Sequence, residues 1–150
     1  KLYGTISGKK IVILGFSFKS NTNDTRESAA IQICKDLIDE GAVLFINDPK
    51  VNKEQIALDL GMQPTSKIGK ADRIVNEKGC WVFVDNIDES LYKADAIVIL
   101  TEWPEYKKIN WDLAEKRMRK PAWIFDSRSL INPESIKNNS FKFWRIGDGS

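Results

Sequence analysis

Residues 11–38 read IVILGFSFKSNTNDTRESAAIQICKDLI, and this stretch decides the fold class. Its first four residues form an apolar run rich in β-branched side chains that ends at Gly15, which is typical of a buried strand. After a polar loop, apolar side chains recur at positions 30, 33, 34, 37 and 38, the spacing of one buried helix face. A strand, a long loop and a helix in this order predict the start of a parallel α/β sheet.

The rest of the chain repeats this alternation. Further strands are predicted at 43–46, 81–84, 96–100, 123–125 and 142–146. Helical segments are predicted at 53–60, 89–93, 110–119 and 133–138, with another at 71–76 inside an insertion over 61–80. Asp24 and Glu27 are predicted to form a capping box at the start of the first helix. Six strands with crossovers predict a doubly wound, mostly parallel, Rossmann-like sheet of order 3-2-1-4-5-6.

Length and composition indicate one α/β domain over residues 1–150, with a core of ordinary size. The 23 Lys and Arg against 21 Asp and Glu leave a net charge of +2 with both signs interleaved, so no nucleic-acid footprint is indicated. No apolar run is long enough to predict a membrane span. Because the chain opens on Lys1 rather than Met, we expect a piece of a larger protein.

The chain has two cysteines and no histidine, so we expect neither a metal site nor a Cys–His nucleophile within it. Cys34 lies on the apolar face of the first predicted helix, where a packing role is expected. Two isolated cysteines are typical of a reduced, cytoplasmic protein.

Ligands of doubly wound sheets bind beyond the carboxyl ends of the strands. The loops at that edge are 15–27, 101–106 and 126–132, and the first is longer than most strand-to-helix connections. A dinucleotide fingerprint would place three glycines there, but only Gly15 fits, with Phe16, Phe18 and Lys19 in the other places. We therefore expect no nicotinamide cofactor to bind to this domain itself.

Two cations are the candidate binding groups. Lys19 follows the first strand and Arg128 the fifth, about 10 Å apart in the proposed strand order, so the two could hold a diphosphate between them. Asp24 and Arg26 are expected to brace each other or the loop.

Other interpretations of these residues stay open. A lysine in a loop is commonly solvated, and Arg128 could instead pair with a nearby carboxylate. Candidate partners are Asp24, Glu102 and Asp126. Asp48 ends the second strand where a ribose-binding acid would lie, but before Pro49 a turn role is favoured.

The run GFSFKSNTNDTRES closely resembles the signature that opens the C-terminal domain in the UDP-glucose/GDP-mannose dehydrogenase family, in the form typical of animal and plant UDP-glucose 6-dehydrogenases. Further matching motifs follow the same order along the chain: KLYGTISGKK (1–10), DEGA (39–42), NDPKV (47–51), TEW (101–103) and KPAWIFDSR (120–128). The resemblance therefore covers nearly the whole chain, except residues 61–80.

The resemblance implies an NAD-dependent oxidation of UDP-glucose to UDP-glucuronate by a cytoplasmic homo-oligomer. NAD and the catalytic residues would belong to N-terminal and central parts absent from this chain, so no catalytic or cofactor-binding residue is assigned here, and the chain alone is expected to be inactive. The positions that match the family's UDP-sugar contacts are Phe18, Lys19 and Arg128. Asp24, Arg26 and Glu27 would support the loop. Ser127 stands where the family more often has Gly, which puts the placement of the guanidinium in question.

Two other functions remain open at this stage. A sister enzyme acting on a UDP-N-acetyl-hexosamine or on GDP-mannose would share the architecture. A stand-alone module for nucleotide binding or assembly would use the same fold without catalysis.

Overall fold

The computed structural model describes residues 6–65 and 79–145. Within them six strands form one sheet in the order β3-β2-β1-β4-β5-β6, and every neighbouring pair is parallel. The strands are β1 Lys10–Leu14, β2 Val43–Asn47, β3 Cys80–Phe83, β4 Ala96–Ile99, β5 Ala122–Asp126 and β6 Phe141–Arg145. The predicted α/β fold and strand order are thus confirmed.

Helices and short 3₁₀ turns connect the strands. They are α1 Ala29–Asp39, α2 Lys53–Leu60, α3 Ile87–Ser90, α4 Trp111–Arg117, and the 3₁₀ segments Pro104–Lys108 and Pro133–Ile136. The predicted elements agree with these bounds to within a few residues. The predicted helix at 71–76 lies outside the described residues. No helix in the described ranges is both long enough and apolar enough to cross a membrane.

The predicted capping box at the start of α1 is wrong. The N-cap is Ser28, whose hydroxyl accepts a hydrogen bond from the backbone N–H of Ala30 at 3.2 Å. Glu27 precedes this cap with φ at 66°, in the left-handed region, so it cannot serve as the third helical residue. The carboxylate of Asp24 binds Arg26 instead. Sequence spacing alone misplaced the helix start by four residues.

The core has two layers, one on each face of the sheet. Alternate residues of β1 enter different layers, with Ile11 and Ile13 towards α1 and α2, and Val12 and Leu14 towards α4. A strand buried on both faces needs a continuous apolar run, which is the pattern of residues 11–14. Cys34 of α1 is fully buried in the first layer, which agrees with a packing role, and burial raises the pKa of its thiol far above the ordinary value.

Gly15 lets the loop after β1 lie directly against the loop after β4. Its φ is 104°, and a Cβ added there would overlap the side chain of Thr101. No residue with a side chain fits this position without moving the neighbouring loop.

We expect Gly15→Ala to lower the free energy of unfolding by about 3 kcal/mol or more, because backbone strain adds to steric overlap. The matched control is Gly61→Ala, at φ 67° with nothing within 4 Å of the added Cβ, which should cost only about 1 to 2 kcal/mol. Denaturant titration of both variants measures the difference. Equal losses would show that contact with Thr101 is unimportant.

Candidate functional site

The carboxylate of Asp48 holds the loop after β1 in place. Asp48 follows β2 and is only 3% exposed. Its Oδ2 accepts hydrogen bonds from the backbone N–H groups of Phe16 and Ser17, at 2.8 and 3.0 Å. The indole N–H of Trp103, from the loop after β4, donates to the same oxygen at 3.2 Å. One buried carboxylate therefore joins the ends of three adjacent strands.

The other oxygen of Asp48 shapes its own turn. Oδ1 accepts from the backbone N–H groups of Lys50 and Val51, at 2.8 and 3.0 Å. The turn role predicted for Asp48 is confirmed. The contacts of Asp48 with Phe16, Ser17 and Trp103 were not predictable from the sequence, because the partners are distant in the chain and two of them are backbone groups.

The carbonyl groups of the first loop are also held. The hydroxyl of Ser28 donates to the carbonyl of Phe16 at 2.8 Å, and that of Thr101 donates to the carbonyl of Ser17 at 2.9 Å. The hydroxyl of Ser17 donates to the carbonyl of Lys19 at 2.8 Å. This part of the loop is fixed by its surroundings rather than by regular secondary structure.

Asp24 and Arg26 brace the outer part of the loop. The guanidinium of Arg26 donates from Nε and Nη2 to the two carboxylate oxygens of Asp24, at 3.0 and 2.9 Å. These bonds, with a further one from the Arg26 backbone, lower the pKa of Asp24 to about 2. The backbone N–H of Phe18 donates to the Asp24 carbonyl at 2.7 Å, so the braced segment closes back on Phe18. The supporting role of Glu27 stays a prediction.

Arg128 reaches from the loop after β5 to the loop after β1. Its Nε donates to the carbonyl of Leu100 at 3.0 Å, and its Nη2 donates to the carbonyl of Phe18 at 2.9 Å. The same Nε lies 3.6 Å from Oε1 of Glu102, one of the alternative partners considered above. Arg128 therefore contacts both a carboxylate and the predicted binding loop.

Asp126 fixes the backbone around Arg128. This fully buried carboxylate accepts from the backbone N–H groups of Arg128 and Ile131, at 3.1 and 2.7 Å. The hydroxyl of Ser127 donates to the carbonyl of Ile99 at 2.7 Å. Ser127, the residue that departs from the family pattern, is thus hydrogen-bonded to β4, and the guanidinium of Arg128 still contacts Phe18.

Phe18 and Lys19 are exposed beside Arg128. The Phe18 side chain is 43% exposed, although its carbonyl is bound by the guanidinium. The ammonium of Lys19 has no hydrogen bond or ion pair with any residue in the described ranges. Arg128 thus contacts Phe18 directly, and Lys19 is the next residue in the chain.

A groove of about 830 Å³ opens elsewhere at the same edge of the sheet. It lies at the carboxyl ends of β2 and β3, and its lining includes Asp48, Lys50, Asp85, Glu105 and Lys108. None of the three predicted binding residues lines it. The predicted binding residues are instead exposed at the ends of β1 and β5.

The comparison with protein families identifies the domain. The model of the UDP-glucose/GDP-mannose dehydrogenase family, UDP binding domain, matches residues 12–133. The chain belongs to this family. UDP-glucose 6-dehydrogenase of Gallus gallus is 45% identical over 131 residues, which are 87% of this chain and 25% of that protein. This UDP-binding domain therefore spans about a quarter of that relative's length.

Two solved structures of nucleotide-sugar dehydrogenases contain the same fold. The UDP-D-ManNAc dehydrogenase from Pyrococcus horikoshii matches with a TM-score of 0.68 and 27% identity over 97% of this chain and 27% of that chain. The NDP-N-acetyl-D-galactosaminuronic acid dehydrogenase from Methanosarcina mazei Go1 matches with a TM-score of 0.69 over 95% of this chain and 25% of that chain. At 24% identity the latter supports the fold alone.

We expect Asp48→Asn to destabilise the UDP-binding domain by about 3 kcal/mol or more, because an amide leaves several buried N–H donors without an acceptor. Asp85→Asn, at an exposed carboxylate on the neighbouring loop, should change stability by less than about 0.5 kcal/mol. Denaturant titration compares the two. Similar stabilities would contradict the central role of Asp48.

Removing the guanidinium in Arg26→Ala should raise the pKa of Asp24 from about 2 towards 3.8. Because the folded-state pKa is the lower one, the contact stabilises the loop above the ordinary pKa and is lost as the pH falls through about 2. Carboxyl chemical shifts followed by NMR during acid titration measure the change. Lys35→Ala, on the exposed face of α1, is the control and should leave Asp24 unchanged.

Proposed function

We propose that this domain forms one wall of the substrate site in an NAD-dependent UDP-glucose 6-dehydrogenase, which oxidises UDP-glucose to UDP-glucuronate. Phe18, Lys19 and Arg128 would contact the nucleotide sugar. The observation that carries the proposal is the 2.9 Å hydrogen bond from Arg128 to the carbonyl of Phe18. It brings a cation from the last loop to the residue beside Lys19.

Arg128 has N–H groups left over that could donate hydrogen bonds to a ligand. A guanidinium has five N–H groups. Two of them bind the carbonyls of Leu100 and Phe18, which fix its position. The remaining three suit the two-point grip on a phosphate that arginine makes, while Lys19 offers a more mobile point charge.

The exposure of Phe18, Lys19 and Arg128 agrees with a shared substrate site. A cleft that closes between parts of a longer enzyme leaves only one wall on each part. We propose that NAD and the catalytic groups belong to the parts outside this chain. The N–H groups of Phe16 and Ser17, which would approach a pyrophosphate in a glycine-rich turn, are occupied by Asp48.

The proposal also includes the cytoplasm as the compartment and a homo-oligomer as the assembly. The free thiols of Cys34 and Cys80 are consistent with the reducing cytoplasm. A homo-oligomer, expected from the resemblance, would have exposed apolar side chains to bury, and among residues 6–65 and 79–145 these include Leu58, Tyr92 and Trp144.

A sister nucleotide-sugar dehydrogenase is the second candidate, because the Pyrococcus horikoshii structure above is named a UDP-D-ManNAc dehydrogenase. The 45% identity to a UDP-glucose 6-dehydrogenase favours UDP-glucose. Oxidation rates of the intact protein with UDP-glucose, UDP-N-acetyl-hexosamines and GDP-mannose decide between them. A protein that oxidises none of them would favour the stand-alone module.

In the intact enzyme, Lys19→Ala and Arg128→Ala should each raise the KM for UDP-glucose about 10- to 100-fold. Each removes a charge-assisted hydrogen bond of about 1.5 to 3 kcal/mol. Lys35→Ala, which removes an exposed lysine far from the loop edge, is the control and should leave KM unchanged. Steady-state kinetics provide the measurement, and wild-type KM values in both site variants would refute the assignment.

A further inference from the structure

Glu102 lies at the centre of the proposed binding surface. It follows β4, which the sheet places between the strands that lead to Lys19 and to Arg128. Its Oε1 is buried, lies 3.6 Å from Nε of Arg128, and accepts no hydrogen bond from any residue that the structure describes. The hydrogen of that Nε is directed to the carbonyl of Leu100 instead. Glu102 therefore acts on Arg128 mainly through its charge.

The carboxylate of Glu102 lowers the net positive charge that a ligand encounters at this surface. Lys19 and Arg128 together present two positive charges, and Glu102 cancels one of them at close range. Both the Glu102 and Arg128 side chains are 37% exposed, so their charges are only partly screened by solvent. The surface attracts an anion, but less strongly than the two cations alone would.

We infer that Glu102 is a specificity-determining residue that makes this surface prefer a diphosphate esterified at both ends over one with a free terminal phosphate. The inference rests on the proposed function, since it assumes a diphosphate at Lys19 and Arg128. A doubly esterified diphosphate, as in a nucleotide sugar, has one negative charge on each phosphate. A free terminal phosphate has about −1.5 to −2 at neutral pH, so a nucleoside diphosphate brings more charge towards Glu102.

The expected size of this selection follows from Coulomb's law. An extra negative charge of about a half to one, about 6 Å from a carboxylate at an effective dielectric constant of about 40 to 80, changes a binding constant about two- to tenfold. Salt weakens the effect, because the Debye length falls to about 3 Å at 1 M ionic strength. Glu102 thus selects the substrate form over its hydrolysed form, without touching either directly.

The test is calorimetric titration of the intact protein with UDP-glucose and with UDP, at low and at high ionic strength. Glu102→Gln keeps the size of the side chain and removes its charge. It should strengthen UDP binding about two- to tenfold more than UDP-glucose binding, and this difference should shrink at high salt. Glu102→Asp keeps the charge and should keep the wild-type ratio of the two affinities.

The matched control is Glu105→Gln, an exposed glutamate three residues further along that lines the groove beside Asp48. It should leave the ratio unchanged. If Glu102→Gln alters both affinities equally, Glu102 only positions Arg128 and the inference is overturned, while the proposed function stands. If the wild-type protein binds neither ligand, the proposed function fails and the inference fails with it.

Discussion

The buried carboxylate of Asp48 is the interaction on which the carboxyl edge of the sheet depends. It accepts five hydrogen bonds, four from backbone N–H groups and one from an indole. A buried charge is stable only when its hydrogen-bonding capacity is used, so the groups around Asp48 have little freedom to move. The burial of Tyr106 and its nearness to Asp48 raise the pKa of this phenol far above its ordinary value. Asp48 thus ties the start of the long loop after β1 to the sheet.

The same arrangement recurs at β5, where Asp126 is buried and binds backbone N–H groups of the following loop. Asp48 and Asp126 are buried and fix backbone, while Lys19 after β1 and Arg128 after β5 are left at the surface. This division leaves the two cations available for the proposed contact with a diphosphate.

Much of the fold was predictable because it depends on local patterns. The β-branched run at 11–14 and the helical spacing at 30–38 predicted β1 and α1, and the crossover rule then predicted the strand order. The start of α1 was not predictable, because both Asp24 and Ser28 suit an N-cap by composition. The left-handed backbone of Glu27 decides for Ser28, because it keeps residue 27 outside the helix.

The sequence by itself determined the sheet, the family and the identity of the candidate binding residues, because strand periodicity and motif order are properties of the chain. Only the tertiary structure decided which contacts those residues make with one another. It joined Arg128 to the Phe18 carbonyl, set Glu102 beside the guanidinium, and turned Asp48 from a turn residue into the link between three strand ends. These contacts join residues far apart in the chain, and several end on backbone atoms that every residue type shares.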